Sequence, residues 1–351
     1  MPPRISAPRC LGLVDSRLWR RCLATDASGA AGQLMRHFRD RTIVRRQKLD
    51  GNQLQRLCLT LGRPTIESGL DARGEAPPDG TPIPPGYHLV YFTSADLESS
   101  LGPDGTDQSF NAPPPFSRRM WAGGQMTWEK DVQLRVGDVV EEHTTLRGAA
   151  AKQSRSGTEM VLVDVRKEFR TERGLGLVDQ RSWIFRPPAG KAPTAAPSQD
   201  RQGEASKIYQ PSISRDVNTG PAGPSEGVRC FPERHLRWSP VGLFRFSALT
   251  FNAHMIHYNE TWTRTVEGHP QVVVHGPLNL INMLDYWRDH HLPKGSDGPR
   301  SISYRALSPL YAADDYVIKT TSAPSDKSHV TELTIEKSGV VSMTGTVTSS
   351  A

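Results

Sequence analysis

The sequence predicts an α+β fold in which an antiparallel sheet wraps an apolar helix, with two such units in one chain. Three features carry this. Apolar and polar side chains alternate along Val161, Val163 and Val165 and along Leu333 and Ile335, as in half-buried antiparallel strands. The segment HGPLNLINMLDYWRDH changes to helical spacing: Pro277 suits the first turn, and Leu280 or Ile281, Leu284 and Trp287 recur on one face. The halves also repeat weakly. Moving the second back by 312 − 136 = 176 residues lays AADDYVIKTTS (312–322) over VGDVVEEHTTL (136–146), with Thr320-Thr321 on Thr144-Thr145. After a three-residue gap, TELTIEKSGVV from Thr331 matches TEMVLVDVRKEF from Thr158. Threonine and valine are common in any strand, so chance is the competing account of this repeat.

Length and composition fit two units. The chain has 351 residues, 36% hydrophobic and 23% charged, enough for two domains of ordinary size. Every apolar stretch is broken by charge or proline well short of the eighteen or so residues a membrane span needs. Two stretches rich in proline, glycine, serine and alanine, near 63–86 and 187–227, bury too little apolar area to offset the entropy of ordering them. The second is expected to be a flexible linker, dividing an N-terminal domain (31–186) from a C-terminal one (228–351).

The formal charge is 43 − 37 = +6. Residues 1–30 hold Arg4, Arg9, Arg17, Arg20 and Arg21 against Asp15 and Asp26, which is +3. The remaining +3 is spread over residues 31–351, too dilute for nucleic acid, which demands a concentrated basic face. In a helix, Leu11, Val14, Leu18 and Cys22 share one side and Arg20 lies opposite, so residues 1–30 are expected to be a mitochondrial targeting presequence, cleaved between Arg21 and Gly32. The four cysteines (Cys10, Cys22, Cys58, Cys230) show no paired spacing, which argues against a disulfide framework or a thiolate zinc site and suits a reducing mitochondrial matrix.

Four of the eleven histidines, His254, His257, His269 and His275, fall within twenty-two residues. Imidazole accepts and returns protons near neutral pH, so the cluster suggests general acid–base work, with His257 the first candidate. His269 and His254 are expected to be ordinary hydrogen-bonded residues, His254 with a possible supporting part. A metal is the other account: His254 and His257 are three apart, and His275 could supply a third ligand.

The segment FRFSALTFNAHMIHYNETW, followed by VEGHPQVVVHGPLNL, resembles the MaoC-like double hot-dog family of acyl-thioester hydratases and dehydratases. Its nearest branches are the mitochondrial type 2 hydroxyacyl-thioester dehydratases and the mesaconyl- or itaconyl-CoA hydratases. The likeness covers about 86–186 and 227–347 and is strongest from NAHMIH to HGPL. It implies a double hot dog, an antiparallel sheet around a central helix in two copies. The broader family motif, Gly-Asp-x-Asn-Pro-Leu-His, ends on His257. Asn252 then stands at the family's catalytic aspartate and His254 at its asparagine. An amide cannot ionise, so the resemblance assigns proton transfer to His257 and orientation of the water to Asn252. The helix entrance implies that the Gly276 N–H receives the thioester carbonyl oxygen, where enolate-like charge develops, with His275 beside it. Gly276 also suits a tight strand-to-helix turn. Tyr304, Arg305 and Pro309 match a structural strand after the helix.

The N-terminal half, through FNAPPPFSRRMWAGGQMTWEKDVQLRVGDVVEE, resembles a first hot dog but lacks NAHMIH. It is expected to be non-catalytic and to shape the pocket through Arg118, Arg119 and Trp121. The activity implied is reversible dehydration of a 3-hydroxyacyl thioester to a trans-2-enoyl thioester in mitochondrial type II fatty-acid synthesis. Acyl carrier protein's phosphopantetheine or coenzyme A is the expected carrier, with no metal or redox cofactor. Mesaconyl- or itaconyl-CoA hydration and non-catalytic acyl-thioester binding are the alternatives. Two hot dogs in one chain leave both monomer and homodimer open.

Overall fold

The computed structural model describes residues 26–66, 69–188, 206–208, 232–293, 295–296, 298–323 and 329–349. The first half runs α1 (Ala27–Phe38), β1 (Thr42–Lys48), α2 (Gly51–Thr60), a short hairpin of β2 (Thr65–Ile66) and β3 (Leu70–Asp71), then β4 (Arg118–Trp128), β5 (Val139–Gln153), β6 (Glu159–Thr171) and β7 (Gly174–Arg186). The second runs β8 (Lys207–Ile208), β9 (Arg234–Arg237), α3 (Pro240–Leu249), α4 (Glu260–Thr265), α5 (Gly276–His291), β10 (Pro299–Ala306), β11 (Tyr316–Ser322), β12 (Val330–Lys337) and β13 (Val340–Ser349). Asp26, Asp50 and Ser239 start α1, α2 and α3 by accepting hydrogen bonds from backbone N–H groups three residues on.

The described strands form one antiparallel sheet in the order β1-β5-β6-β7-β4-β10-β13-β12-β11-β9-β8, with the β2–β3 hairpin separate. The halves mirror each other: β1-β5-β6-β7-β4 on one side corresponds to β9-β11-β12-β13-β10 on the other. The two segments aligned by the sequence repeat lead into β5 and β11, at matching places. The seam is β4 against β10, pairing Tyr304 with Gly124 and Ile302 with Met126.

Glycines set this seam. A Cβ on Gly124 would lie 2.1 Å from the Gln180 carbonyl oxygen of β7 and 2.7 Å from the Tyr304 hydroxyl. Gly123 sits at φ +157 beside a bulge in the β4–β7 pairing, with Tyr304 and Arg305 of β10 against its Cα. The double hot-dog arrangement is present. Helix α5 is buried from Leu278 to Trp287, and Met283 lies on Gly345 of β13, where a Cβ would come within 2.3 Å of the sulfur.

The halves differ at their centres. Where the second half has the sixteen residues of α5, the described residues between α2 and β4 form no such helix, only the β2–β3 hairpin and short 3-10 turns such as Tyr87–Val90. Tyr87 ties that turn to α5, donating to Asp285 at 2.9 Å; Asp285 also pairs with Arg288 at 2.8 Å. One wall of the concave first-half sheet is covered by α1: Ala27, Ala30, Ala31 and Leu34 pack with Phe110, Phe116, Val161, Val163, Val165 and Phe185. The remaining space is a cavity.

Two expected boundaries meet described structure. Ala27 and Ala30, at the end of the expected leader (1–30), are buried in the α1 cluster, so α1 spans that boundary. Residues 1–25 of that leader lie outside the described residues. Within the expected linker, Lys207–Ile208 pairs with β9, so part of 187–227 is an edge strand; 189–205 and 209–227 also lie outside the described residues. Among the described residues, no helix is long and apolar enough to cross a membrane.

The seam yields a stability prediction. Gly124→Ala forces β4 away from β7 or Tyr304, and such overpacking typically costs about 1–3 kcal/mol. Urea unfolding should show a lowered midpoint; an unchanged midpoint would mean that the seam has room to relax.

Candidate active site

Helix α3 ends at Leu249, and Phe251 at φ +48 turns the chain back so that the Asn252 N–H bonds to the Ser247 carbonyl at 2.9 Å. The Asn252 side-chain oxygen accepts from the His254 N–H at 3.0 Å. A 3-10 turn at Met255–His257 follows, and Asn259 caps α4 through the Trp262 N–H. Short polar side chains thus set the path of NAHMIHYNETW by bonding to nearby backbone groups.

His257 is buried and held on two sides. Its Nδ1 lies 2.8 Å from the Val273 carbonyl oxygen, and the Val273 N–H returns a bond to the Ile256 carbonyl at 2.8 Å. A carbonyl can only accept, so Nδ1 carries the proton and the Nε2 of the neutral ring is left with its lone pair. Burial, with a smaller push from His269, lowers the His257 pKa to about 4, outweighing the Val273 carbonyl. The imidazole is therefore neutral at pH 7 and available as a base.

His275 stacks on His257 with ring centroids 3.6 Å apart and 16° between planes. Its Nε2 meets the Ser247 hydroxyl at 2.9 Å, and its Nδ1 has no partner among the described residues. Burial first, then His257 and His254, hold His275 well below the usual imidazole range. Stacked rings do not converge their nitrogens on one point. Among the described residues, no group of three His, Cys, Asp or Glu side chains could hold a metal ion.

The His275 side chain is turned to Ser247, so it does not cap α5. The N–H of Gly276, the first residue of α5, has no acceptor among the hydrogen bonds of the described residues. A Cβ there would lie 3.0–3.3 Å from the Trp121 side chain, so the first-half indole closes one side of this donor. A free, oriented N–H at a helix start suits developing oxyanion charge.

All five residues singled out from sequence, His257, Asn252, Gly276, His254 and His275, line one cavity of about 340 Å³. The first half supplies the opposite wall, including Arg119, Trp121, Glu142, Lys167 and Arg181. Arg118 is not among the lining residues and pairs with Glu267 at 2.6 Å.

That wall holds a belt of charges, of which only Arg119 stands out in the sequence. Lys167 meets Glu142 at 2.9 Å, Arg119 meets Asp107 at 2.6 Å, and the Arg181 Nε meets Asp179 at 2.6 Å. Asp179 also contacts His88 at 3.4 Å; burial favours its neutral form, but Arg181 and His88 hold the carboxyl down at about 2. The Arg181 guanidinium lies over Trp121, 5.3 Å from the ring centroid, so this belt is one indole away from Gly276. A signal was available: Lys167 shares a strand face with Val165 and Phe169, Glu142 with Val140, and Asp179 and Arg181 with Leu177 and Phe185. Charges in an apolar register mark a cavity wall rather than a core.

The family model for hydroxyacyl-thioester dehydratase type 2 matches residues 86–218 and 206–312. The mesaconyl-C(4)-CoA hydratase of Chloroflexus aurantiacus is 31% identical over 244 residues, 69% of this chain and 76% of that protein. The mitochondrial type 2 hydroxyacyl-thioester dehydratase of Schizosaccharomyces pombe is 27% identical over 237 residues, 66% of this chain and 75% of that protein. Among solved structures, a MaoC-like dehydratase aligns with a TM-score of 0.58 and HtdX of Mycobacterium tuberculosis with 0.55, each at 15% identity over 88% of this chain and 98% and 99% of theirs. These structures support the fold, and the sequence matches support the reaction class. The chain belongs to the type 2 hydroxyacyl-thioester dehydratase family of hydro-lyases, built as a double hot dog.

Proposed function

We propose that the protein reversibly hydrates a short trans-2-enoyl thioester to the 3-hydroxyacyl thioester, with His257 moving the proton, Asn252 orienting the water and Gly276 receiving the carbonyl oxygen. One observation carries this reading: a neutral imidazole with its Nδ1–H committed to Val273 shares a cavity with a helix-terminal N–H that has no acceptor. His257 Nε2 takes a proton from water as oxygen bonds to C3, and negative charge passes to the thioester oxygen at Gly276. The enolate then collapses and recovers the proton at C2. No step in this scheme calls on a metal or redox cofactor.

A specific feature favours the second reading, hydration of a C4 or C5 dicarboxylic thioester such as mesaconyl- or itaconyl-CoA. Arg119, Lys167 and Arg181 line the cavity opposite His257. Each has a carboxylate partner, so the belt is nearly neutral overall. It nonetheless offers a polar acyl end several hydrogen-bonding groups, in a cavity that Phe92, Phe169 and Trp183 also line. The mitochondrial setting, with acyl carrier protein or coenzyme A as carrier, rests on the arginine-rich residues 1–30 and on the mitochondrial fission-yeast relative.

Hydration of crotonyl-CoA, followed by loss of enoyl-thioester absorbance, tests the core of this proposal. His257→Ala should lose about a hundredfold or more in kcat, as expected for a positioned acid–base group. Because His257 is depressed to about 4 and acts as the neutral base, kcat/KM should hold through pH 6 and fall only as pH drops towards 4. Loss of activity centred near pH 6.5 would assign the base elsewhere. A wild-type protein that binds crotonyl- and mesaconyl-CoA but converts neither would make it an acyl-thioester binding protein.

The charged wall makes a separate prediction about acyl groups. trans-2-Octenoyl-CoA should be hydrated at least tenfold less efficiently than crotonyl-CoA. If mesaconyl-CoA is a substrate, Lys167→Met should depress its kcat/KM more than that of crotonyl-CoA. Preference for octenoyl-CoA would rule out the wall as a determinant of acyl length.

A further inference from the structure

One loop of the first half packs directly on the NAHMIH segment. The Asp104 carbonyl accepts from the Met255 N–H at 2.8 Å, and Gly105, at φ +81, lies so close that a Cβ would stand 1.9 Å from the Ala253 carbonyl oxygen. Only glycine fits, and the contact sets the Asp104 side chain against the motif. The Thr106 N–H at 3.0 Å and hydroxyl at 2.7 Å both donate to Asp104 Oδ1. Oδ2 faces His254 Nε2 at 3.5 Å, and the two side chains are only 13% and 11% exposed.

Other charged or titratable groups around His254 are His257 and His269 from its own half, and Arg119 and Asp107 from the first half. Arg119 and Asp107 are paired with each other. Among the described residues, Asp104 has no lysine or arginine within ion-pair distance, so His254 is its partner. The His254 ring stands edge-on to His257 with centroids 5.5 Å apart, and its backbone N–H holds the Asn252 side chain.

We propose that Asp104 is a positioning residue for the hydration reaction, fixing His254 as the Nε2–H tautomer so that its Nδ1 lone pair, with Asn252, orients the water attacked by His257. This rests on the hydratase reading above. It places a carboxylate from the first hot dog beside a motif whose own aspartate position is Asn252. The 3.5 Å separation is long for a hydrogen bond, and such contacts tighten when substrate closes a site. Proton balance is unchanged: His257 takes one proton from water and returns it to C2, while His254 only accepts a hydrogen bond from the second.

Asp104→Asn tests the role. Thr106 donates twice to Oδ1, so the asparagine oxygen stays there and its amide N–H turns to His254 Nε2, reversing the tautomer. Enoyl-CoA hydration should fall roughly ten- to a hundredfold in kcat with KM within about twofold, the pattern of lost orientation. The ¹⁵N spectrum of the full-length protein, with His254 assigned by its loss in His254→Gln, should show Nε2–H in wild type and Nδ1–H in Asp104→Asn. A wild-type His254 protonated on Nδ1, or lower kcat without a tautomer change, overturns the proposal. The wild-type spectrum decides alone if the variant does not fold. If the tautomer reverses as expected but wild type hydrates no enoyl thioester, the contact stands and the catalytic reading fails with the role built on it.

Discussion

The seam between β4 and β10 is the constraint on which the rest of the molecule depends. Without the close approach at Gly123 and Gly124, the two halves would be separate sheets and the cavity would have one wall. The seam brings Trp121 of the first half against Gly276 of the second, whose N–H has no acceptor among the described residues. A fixed dipole shielded from bulk water stabilises developing charge more than the same dipole in solution. In the proposed reaction, a packing decision in two strands therefore sets the surroundings of the donor to the thioester carbonyl.

The same closure burdens the opposite wall. Lys167, Glu142, Asp179 and Arg181 are all withdrawn from water, and their pairing offsets a desolvation penalty that an apolar wall would not incur. Stability alone would favour leucine and valine at these inward positions, which is what Val161, Val163, Val165 and Phe185 supply a few residues away under α1. The change from apolar to charged along the same strand faces marks where core ends and pocket begins. Such residues are retained at a cost in stability, as expected of a surface that must recognise something polar.

Much of this was legible in the sequence. The alternation at Val161–Val165 and Leu333–Ile335, the single apolar helix and the 176-residue repeat fixed the class of fold, because each reflects periodic burial that a local window reveals. The five candidate residues were also readable, since they lie on two short segments joined by the bond from His257 to Val273. What failed to show were partners distant in sequence. Asp104 precedes His254 by 150 residues, in a loop with no periodicity, and the Gly105–Ala253 contact and the Met255–Asp104 backbone bond bring them together. Helix α1 was obscured differently: its alanines resemble leader composition, and burial under β6 cannot be read from composition.

The asymmetry between the halves explains why both are needed. Two hot dogs with a full central helix each would fill both concave faces, as Leu278 to Trp287 fill the second. In the first half, a 3-10 turn at Tyr87–Val90 stands in place of that helix, and the room left over is bounded by Lys167, Arg181 and Trp121. The half that kept its helix kept the free N–H and the histidines; the half that lost it gained the volume for an acyl group. In the proposed reaction both halves are needed, because the candidate oxyanion donor sits at the start of the second half's long helix and the cavity is lined by residues of both halves.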